Sequence, residues 1–300
     1  MCGVLTLGKL GIFVDRQTLS SSLQLSTILK CRDDAESLGH TVYFIFPVEV
    51  KKITGVDALF IRSRTDPMNI SFVASKMAEY SGIPVIDDSK SIQICADKIN
   101  MYLHLMKEKV ALPATEFLSK DDITDARIQG LFEKYGAPLI LKEPSTSFSA
   151  RVERVATPDE FTRVARRFIK LSDWIVMQEY VKSTYDWRVG ILNGELLYAC
   201  KYIIPSETFK IQAQVNGHLV YCAVQSVPPE EVPKQVVDLA LKATSAIGSG
   251  LYGVDIKEVE GRVCVIEVND NPSLEGGEDR FYPDIYKRII SHLMDGGKRG

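Results

Sequence analysis

Three observations predict an α/β unit followed by an α+β region. Short apolar runs alternate with amphipathic segments over about residues 9–90, the pattern of strands joined by helical crossovers in a small parallel sheet. Later apolar runs are joined by Asn193-Gly194, Asn216-Gly217 and Glu260-Gly261, turn dipeptides that mark antiparallel hairpins. The 300 residues, 45% hydrophobic and 25% charged, have an ordinary globular composition with enough chain for substantial cores.

In order, residues 9–15 (KLGIFVD) read as a strand, and 20–38 as a helix ending at Gly39. Strands follow at 41–46 and 58–62, a helix at 69–80 ending at Ser81-Gly82, and a strand at 83–86. Residues 89–109 read as one long helix closed off by Pro113. A compact α/β segment comes next: strand 115–118, helix 125–135 and strand 138–142. A polar Ser/Thr loop over 143–150 leads to strand 151–155 and a helix over 157–171 with a Thr-Pro-Asp-Glu start. Residues 174–181 (WIVMQEYV) form a buried strand, 188–192 and 195–204 a hairpin, and two more strands cross Asn216-Gly217. Helix 231–247, a hairpin within 250–272 and helix 281–294 complete the chain.

A formal charge of −3 gives no electrostatic reason to expect nucleic acid. No apolar run approaches the roughly 18 residues of a membrane span, and no export signal is visible at the N-terminus. The six cysteines are scattered and form no C-x-x-C pair, a reduced, cytoplasmic pattern. Met1-Cys2-Gly3 resembles the start of enzymes with an N-terminal cysteine nucleophile. The few residues before the first strand cannot build such a domain, so Cys2 is read as incidental.

The hairpin within 250–272 (GLYGVDIKEVEGRVCVIEVNDNP) carries the most chemistry. A three-residue loop from Glu260 to Arg262 sets Asp255 across from Glu267. Val254, Ile256, Cys264, Ile266 and Val268 then line a core face, while Asp255, Glu267 and Asn269 share the other. Three oxygen-bearing side chains on one face suit a hard cation such as Mg²⁺; the alternative is a solvated sheet face. Lys142 ends a strand just before the Ser/Thr loop, where its ammonium and loop donors such as Ser147 and Ser149 can hold phosphate oxygens. Lys98 lies in the long helix. The segment Gln178, Glu179, Tyr180, Val181 ends a buried strand whose backbone could read an adenine edge while Glu179 accepts from ribose hydroxyls. Asp186 and Arg188 share a strand face, with a mutual ion pair as the alternative. Lys201 and Lys210 flank residues 202–209 and could cancel phosphate charge. Arg62 and Arg64 follow a strand of the parallel unit, where ligands of such sheets sit. Surface decoration is the alternative for each of these basic residues.

The order of these features resembles a family, the ATP-grasp enzymes, and within it the RimK-like carboxylate–amine ligases of α-L-glutamate type. The resemblance runs from about residue 57 to about 290. It rests on IDDSKSIQICADK from Ile86, LKEPSTSFSARV from Leu141, QEYVKSTYDWRVGILN from Gln178 and GLYGVDIKEVEGRVCVIEVNDNP from Gly250. It implies an ATP-grasp fold with an N-terminal Rossmann-like pre-ATP-grasp domain (1–90), a central lobe with lid and phosphate loop (91–175), and a C-terminal lobe with hinge and Mg site (176–300). By the same resemblance, Lys98 and Lys142 contact phosphates and adenine, Gln178 to Val181 form the adenine-side hinge, and Asp186 lies near the ribose and triphosphate end. Asp255, Glu267 and Asn269 bind two Mg²⁺, with Mn²⁺ as a substitute. Arg188 and Lys201 face the transferred phosphate and the substrate carboxylate, and Arg62, Arg64, Asn271 and Ser273 read the substrates. One departure stands out. Related phosphate loops usually contain glycines, whereas residues 145–152 contain none.

The implied reaction is ATP-dependent activation of an amino acid or peptide carboxylate as an acyl phosphate, which an amine converts to an amide. The implied partners are small-molecule carboxylates and amines, or a peptide or protein terminus, without nucleic acid or membrane. Such enzymes are often dimers or tetramers, so a homo-oligomer is among the expectations. A nucleotide-binding protein without the ligase reaction is one alternative, favoured by the glycine-free loop and opposed by the intact Asp255/Glu267/Asn269 set. ATP-dependent phosphorylation of a small molecule is another.

Overall fold

The computed structural model describes residues 7–146, 151–205, 212–215, 218–275 and 277–296. The first unit is the expected parallel sheet. Its strands are β1 (Lys9–Phe13), β2 (Thr41–Ile45), β3 (Ala58–Ile61) and β4 (Val85–Ile86), in the order β2-β1-β3-β4. The expected helix at 20–38 is two: Asp15 caps α1 (Arg16–Ser20), and the Ser21 hydroxyl caps α2 (Ser22–Ser37) by accepting from the Gln24 amide. A 3₁₀ turn over Pro47–Gly55 and helix α3 (Ile70–Tyr80) complete the unit.

The long helix expected at 89–109 is also broken, into α4 (Ser89–Cys95) and α5 (Lys98–Lys107). Asp97 causes the break, because its carboxylate accepts from the Asn100 amide and starts a new helix. Lys98 thereby stands in the first turn of α5 rather than in mid-helix. Met101, Tyr102 and Leu105 of α5 join the core of the C-terminal sheet.

The second sheet is antiparallel, built from β5 (Thr115–Ser119), β6 (Leu139–Lys142), β7 (Val152–Val155) and β8 (Trp174–Glu179) in the order β5-β8-β6-β7. Helices α6 (Asp125–Tyr135) and α7 (Pro158–Phe168) contribute to its core through Ile128, Leu131, Phe161, Val164 and Phe168. The division expected at 175/176 falls inside β8, which pairs with both β5 and β6.

The third sheet contains β9 (Tyr185–Leu192) and β10 (Glu195–Ile203), then, past the hairpin β11 (Gln212–Val215) and β12 (His218–Tyr221), β13 (Ala223–Ser226). After helix α8 (Lys234–Ser245) come β14 (Leu251–Val259) and β15 (Arg262–Asn269), giving the order β13-β10-β9-β14-β15. The turn Asn216-Gly217 between β11 and β12 lies outside the described residues. Helix α9 (Ile285–Gly296) returns to the first unit, and Ile285, Ile289 and Ile290 share a core with Leu10 and Ile12 of β1 and Tyr198 of β10.

The β14–β15 hairpin corrects one expectation and keeps its consequence. Val259 pairs with Arg262, so the loop is the two residues Glu260 and Gly261, at φ 51° and 80°, not three. That dipeptide geometry matches the twist of the flanking strands. An irregularity between Asp255 and Ile256 then inserts Ile266 as an extra residue, so Asp255 still faces Glu267. Past the bulge the parity differs from expectation. Val265 pairs with Ile256 and enters the core, while Cys264 pairs with Lys257 on the opposite face. Among the described residues no helix is long and apolar enough to cross a membrane.

Candidate active site

The third sheet separates its residues by parity. Trp187, Val189, Val254, Ile256, Val265 and Val268 fill the core on one face. Asp186 and Arg188 of β9, Asp255 and Lys257 of β14, and Glu267 and Asn269 of β15 occupy the other. Asp255 lies directly across from Arg188 and takes a bidentate pair from it, Nε to Oδ1 at 2.6 Å and Nη2 to Oδ2 at 3.1 Å. Burial lifts the Asp255 carboxyl to about 6 against the pull of Arg188. Gly253 makes room for this arrangement, since a Cβ there would meet the Arg188 side chain at 3.1 Å and Pro272 at 2.7 Å. Asn269 donates to the Gly253 carbonyl at 3.2 Å and to Asp255 Oδ2 at 3.3 Å. The expected Asp255, Glu267 and Asn269 set is therefore assembled on one face.

Opposite it stands a basic wall. Lys98 Nζ lies 3.4 Å from Glu267 Oε1 and also donates to the Thr146 carbonyl. Lys142 Nζ donates to the Tyr102 hydroxyl at 2.8 Å, which in turn donates to the Ile266 carbonyl at 2.7 Å. Gln178 is buried beside them, its Oε1 3.3 Å from the Tyr102 hydroxyl and its amide donating to Thr115 Oγ1 at 2.8 Å.

Each of the three carboxylates here holds a basic partner: Asp255 has Arg188, Glu267 has Lys98, and Asp186 has Lys257 at 2.5 Å. Lys142 has no carboxylate partner among the described residues. Burial pushes its ammonium down to about 8, with Glu267 opposing and Lys98 and Lys257 assisting. Converging ammonium groups of this kind favour a polyanion. The protonated form attracts phosphate, and a bound triphosphate would raise the free group's value. ATP affinity is therefore expected to be full below about pH 8 and to fall above it, approaching tenfold per unit. Titrating ATP between about pH 7.5 and 9.5 tests this: Lys142→Met should flatten the profile, and an unchanged slope in the variant would remove Lys142 from the phosphate site.

Lys257 was not singled out in the sequence, although Asp255-Ile256-Lys257 carries it on the strand period of two. Its Nζ also donates to Ser183 Oγ at 2.6 Å, and Ser183 donates to Asp186 Oδ1 at 2.9 Å. Tyr102, one helical turn after Lys98, and Tyr202, whose ring centroid lies 5.0 Å from the Arg188 guanidinium, also went unnoticed. The i to i+4 spacing of Lys98 and Tyr102 was the available signal.

Several expected residues stand elsewhere. Lys201 does not face the site with Arg188. It pairs with Trp187 across β9–β10, and its ammonium lies 4.3 Å from the Tyr185 ring and 4.7 Å from the Trp187 ring, on the other face of the sheet. Glu179 is engaged by Arg262 at 2.5 Å, a contact joining the second sheet to the start of β15. Tyr180 and Val181 are half-buried just past β8. Arg62 is buried and gives its guanidinium to Asn271 Oδ1 at 2.5 Å, the Pro272 carbonyl at 3.2 Å and Glu275 at 3.1 Å. It pins the β15 exit loop to the first unit rather than offering itself to an anion. Asn271 completes the tie by donating to the Ser63 carbonyl at 2.7 Å. Arg64 and Ser273 are exposed near this seam. Ser147, Ser149 and Lys210 lie outside the described residues, as does half of the glycine-free loop. At its described edge, Arg151 lies 3.6 Å from Glu143.

The donor chemistry of Asp255, Glu267 and Asn269, two carboxylates and an amide oxygen, fits Mg²⁺, which takes few protein oxygens and completes its shell with phosphate and water. Comparison with known proteins identifies a family. The family model described as RimK-like ATP-grasp domain matches residues 95–293. A protein of Thioalkalivibrio sulfidiphilus named probable alpha-L-glutamate ligase is 28% identical over 274 residues, covering 90% of this chain and 86% of the relative. A glutamate–LysW ligase of Sulfolobus acidocaldarius is 27% identical over 229 residues, covering 74% and 77%. Among solved structures, a D-alanine–D-alanine ligase from Bacillus anthracis superposes with TM-score 0.74 at 19% identity, covering 97% of this chain and 98% of that one. A RimK domain ATP-grasp protein from Sphaerobacter thermophilus gives 0.67 at 15% identity, covering 95% and 99%. The structural likenesses establish the shared fold.

Proposed function

Because the chain belongs to the RimK-like ATP-grasp family, we propose that it is an ATP-dependent carboxylate–amine ligase. A carboxylate oxygen of one substrate attacks the γ-phosphorus of ATP and releases ADP. The nitrogen of the second substrate then attacks the acyl carbon, loses a proton and expels phosphate, leaving an amide. The observation that carries this reading is the opposition of the Asp255/Glu267/Asn269 face to Lys98 and Lys142 across one cleft.

In that cleft Lys98 and Lys142 neutralise phosphate oxygens, and Arg188, held by Asp255, supports charge on the transferring group. Asp255, Glu267 and Asn269 would hold Mg²⁺, which supplies Lewis-acid neutralisation of the phosphates when bound. Glu267 would turn from Lys98 to the metal and leave Lys98 free to meet phosphate, while Asp255 would keep Arg188 in place and offer its remaining lone pairs to the metal. The names of the relatives support L-glutamate as one of the two substrates. The described cysteines Cys31, Cys95, Cys200, Cys222 and Cys264 are free thiols, which supports a reducing, cytoplasmic setting.

ADP release should appear with Mg²⁺-ATP only when a carboxylate and an amine are both present, in pools of amino acids, short peptides and amines that include L-glutamate. Hydroxylamine in place of the amine should give a hydroxamate. ADP release without hydroxamate, from a pool that supports turnover, would favour a small-molecule kinase instead.

A further inference from the structure

Where the first unit meets the exit of β15, three buried side-chain oxygens have no hydrogen-bond partner among the described residues. They are Ser63 Oγ, Asp87 Oδ2 and Asp270 Oδ2. Ser63, Asp87 and Asp270 are only 3%, 3% and 9% exposed. Their strands bring them together: Asp87 directly follows β4, Ser63 lies just beyond the adjacent β3, and Asp270 directly follows β15. The Asn271 amide bonded to the Ser63 carbonyl fixes the β15 exit against the β3 end. Asp270 is also the strongest charged influence on Asp87.

Buried acceptors left unpaired cost about 1–3 kcal/mol each, more when charged, so an unserved group of three calls for an occupant. Arg62, whose charge acts on Asp87, spends its described hydrogen bonds on Asn271, Pro272 and Glu275. The unpaired oxygens call for a group with several N–H donors. A guanidinium prefers a carboxylate fork in its own plane, whereas an alkylammonium offers three diverging donors. Three single oxygens on three chain segments match the ammonium. The place suits a substrate, being the carboxyl edge of a parallel sheet and one residue from Asn269.

We propose that Ser63, Asp87 and Asp270 form an ammonium-binding subsite that receives the amine substrate. The identity of the occupant rests on the ligase reading; the existence of the subsite does not. The subsite holds the amine as its ammonium beside the tip where the acyl phosphate forms; before attack the ammonium gives one proton to the Asp87 or Asp270 carboxylate, which frees its lone pair.

Thermal unfolding in methylammonium chloride, tetramethylammonium chloride and potassium chloride at matched ionic strength tests the subsite without any turnover. Methylammonium, with three N–H donors, should raise the unfolding temperature by about 3 °C at ten times its Kd. Tetramethylammonium and potassium should not. Asp87→Asn, which keeps the side-chain shape, should abolish the difference, and Ser63→Ala, which removes one acceptor and no charge, should reduce it. Equal responses to methylammonium and tetramethylammonium in the unaltered protein, or an undiminished methylammonium effect in both variants, would overturn the proposal. A methylammonium effect lost in the variants would uphold the subsite even if every substrate pool failed to support turnover, an outcome that would count against the ligase reading alone.

Discussion

Glu267→Gln is expected to lower Mg²⁺-ATP turnover about 10²–10³-fold while leaving the unfolding temperature almost unchanged. The Glu267 side chain is 28% exposed, and its contact with Lys98 is a loose 3.4 Å, so little folding energy rests on it. Glutamine keeps the size and one acceptor oxygen for Lys98. It removes the charge that a hard cation requires. The loss should therefore fall on kcat and on the Mg²⁺ concentration giving half-maximal rate, with thermal unfolding as the control. Turnover within threefold of the unaltered enzyme at saturating Mg²⁺ would exclude Glu267 as a metal ligand.

Arg188→Met should act in the opposite way, destabilising the fold by about 3–5 kcal/mol. Asp255 is 4% exposed and takes its bidentate pair from Arg188 alone. Removing the guanidinium leaves a buried carboxylate whose one remaining hydrogen bond among the described residues is the weak Asn269 contact. The double variant Arg188→Met/Asp255→Leu removes both charges and should recover most of the stability, because apolar replacements of buried pairs are often neutral. It should remain inactive. Urea unfolding of the three proteins decides the matter. A single variant within about 1 kcal/mol of the parent would show that the pair does not carry the buried charge of Asp255.

The alternation of strand and helix over the first 90 residues was legible, because Gly39 and Gly82 close the crossover helices and short apolar runs mark the strands. The face carrying Asp255, Glu267 and Asn269 was legible for a different reason. Parity on a strand survives small errors, and at β14–β15 a loop one residue shorter than expected is offset by the bulge at Ile266. Lys201, set beside Arg188 by the resemblance alone, is displaced by the same kind of irregularity. A regular hairpin closed by Asn193-Gly194 would set Lys201 opposite Asp186, on the Arg188 face. The irregularity between Leu196 and Tyr198 shifts it opposite Trp187 instead. Bulges leave no local mark in the residues, so one error cancelled and the other did not. The break at Asp97 was readable in principle, since aspartate is a strong helix cap. The seam joining Arg62 to Asn271 and Glu275 spans more than 200 residues of chain. Pairings of that range have no periodicity to betray them, and so Arg62 and Asn271, which looked available for substrate, are committed to each other.

The central claim is that a carboxylate is activated by phosphoryl transfer in the cleft between the Asp255/Glu267/Asn269 face and the lysine wall. The most direct measurement uses a carboxylate substrate labelled with ¹⁸O in both oxygens, incubated with Mg²⁺-ATP, the amine and the enzyme. The account predicts that each phosphate released carries one ¹⁸O taken from the carboxylate, in step with ADP and amide. Amide and ADP formed with wholly unlabelled phosphate would contradict it.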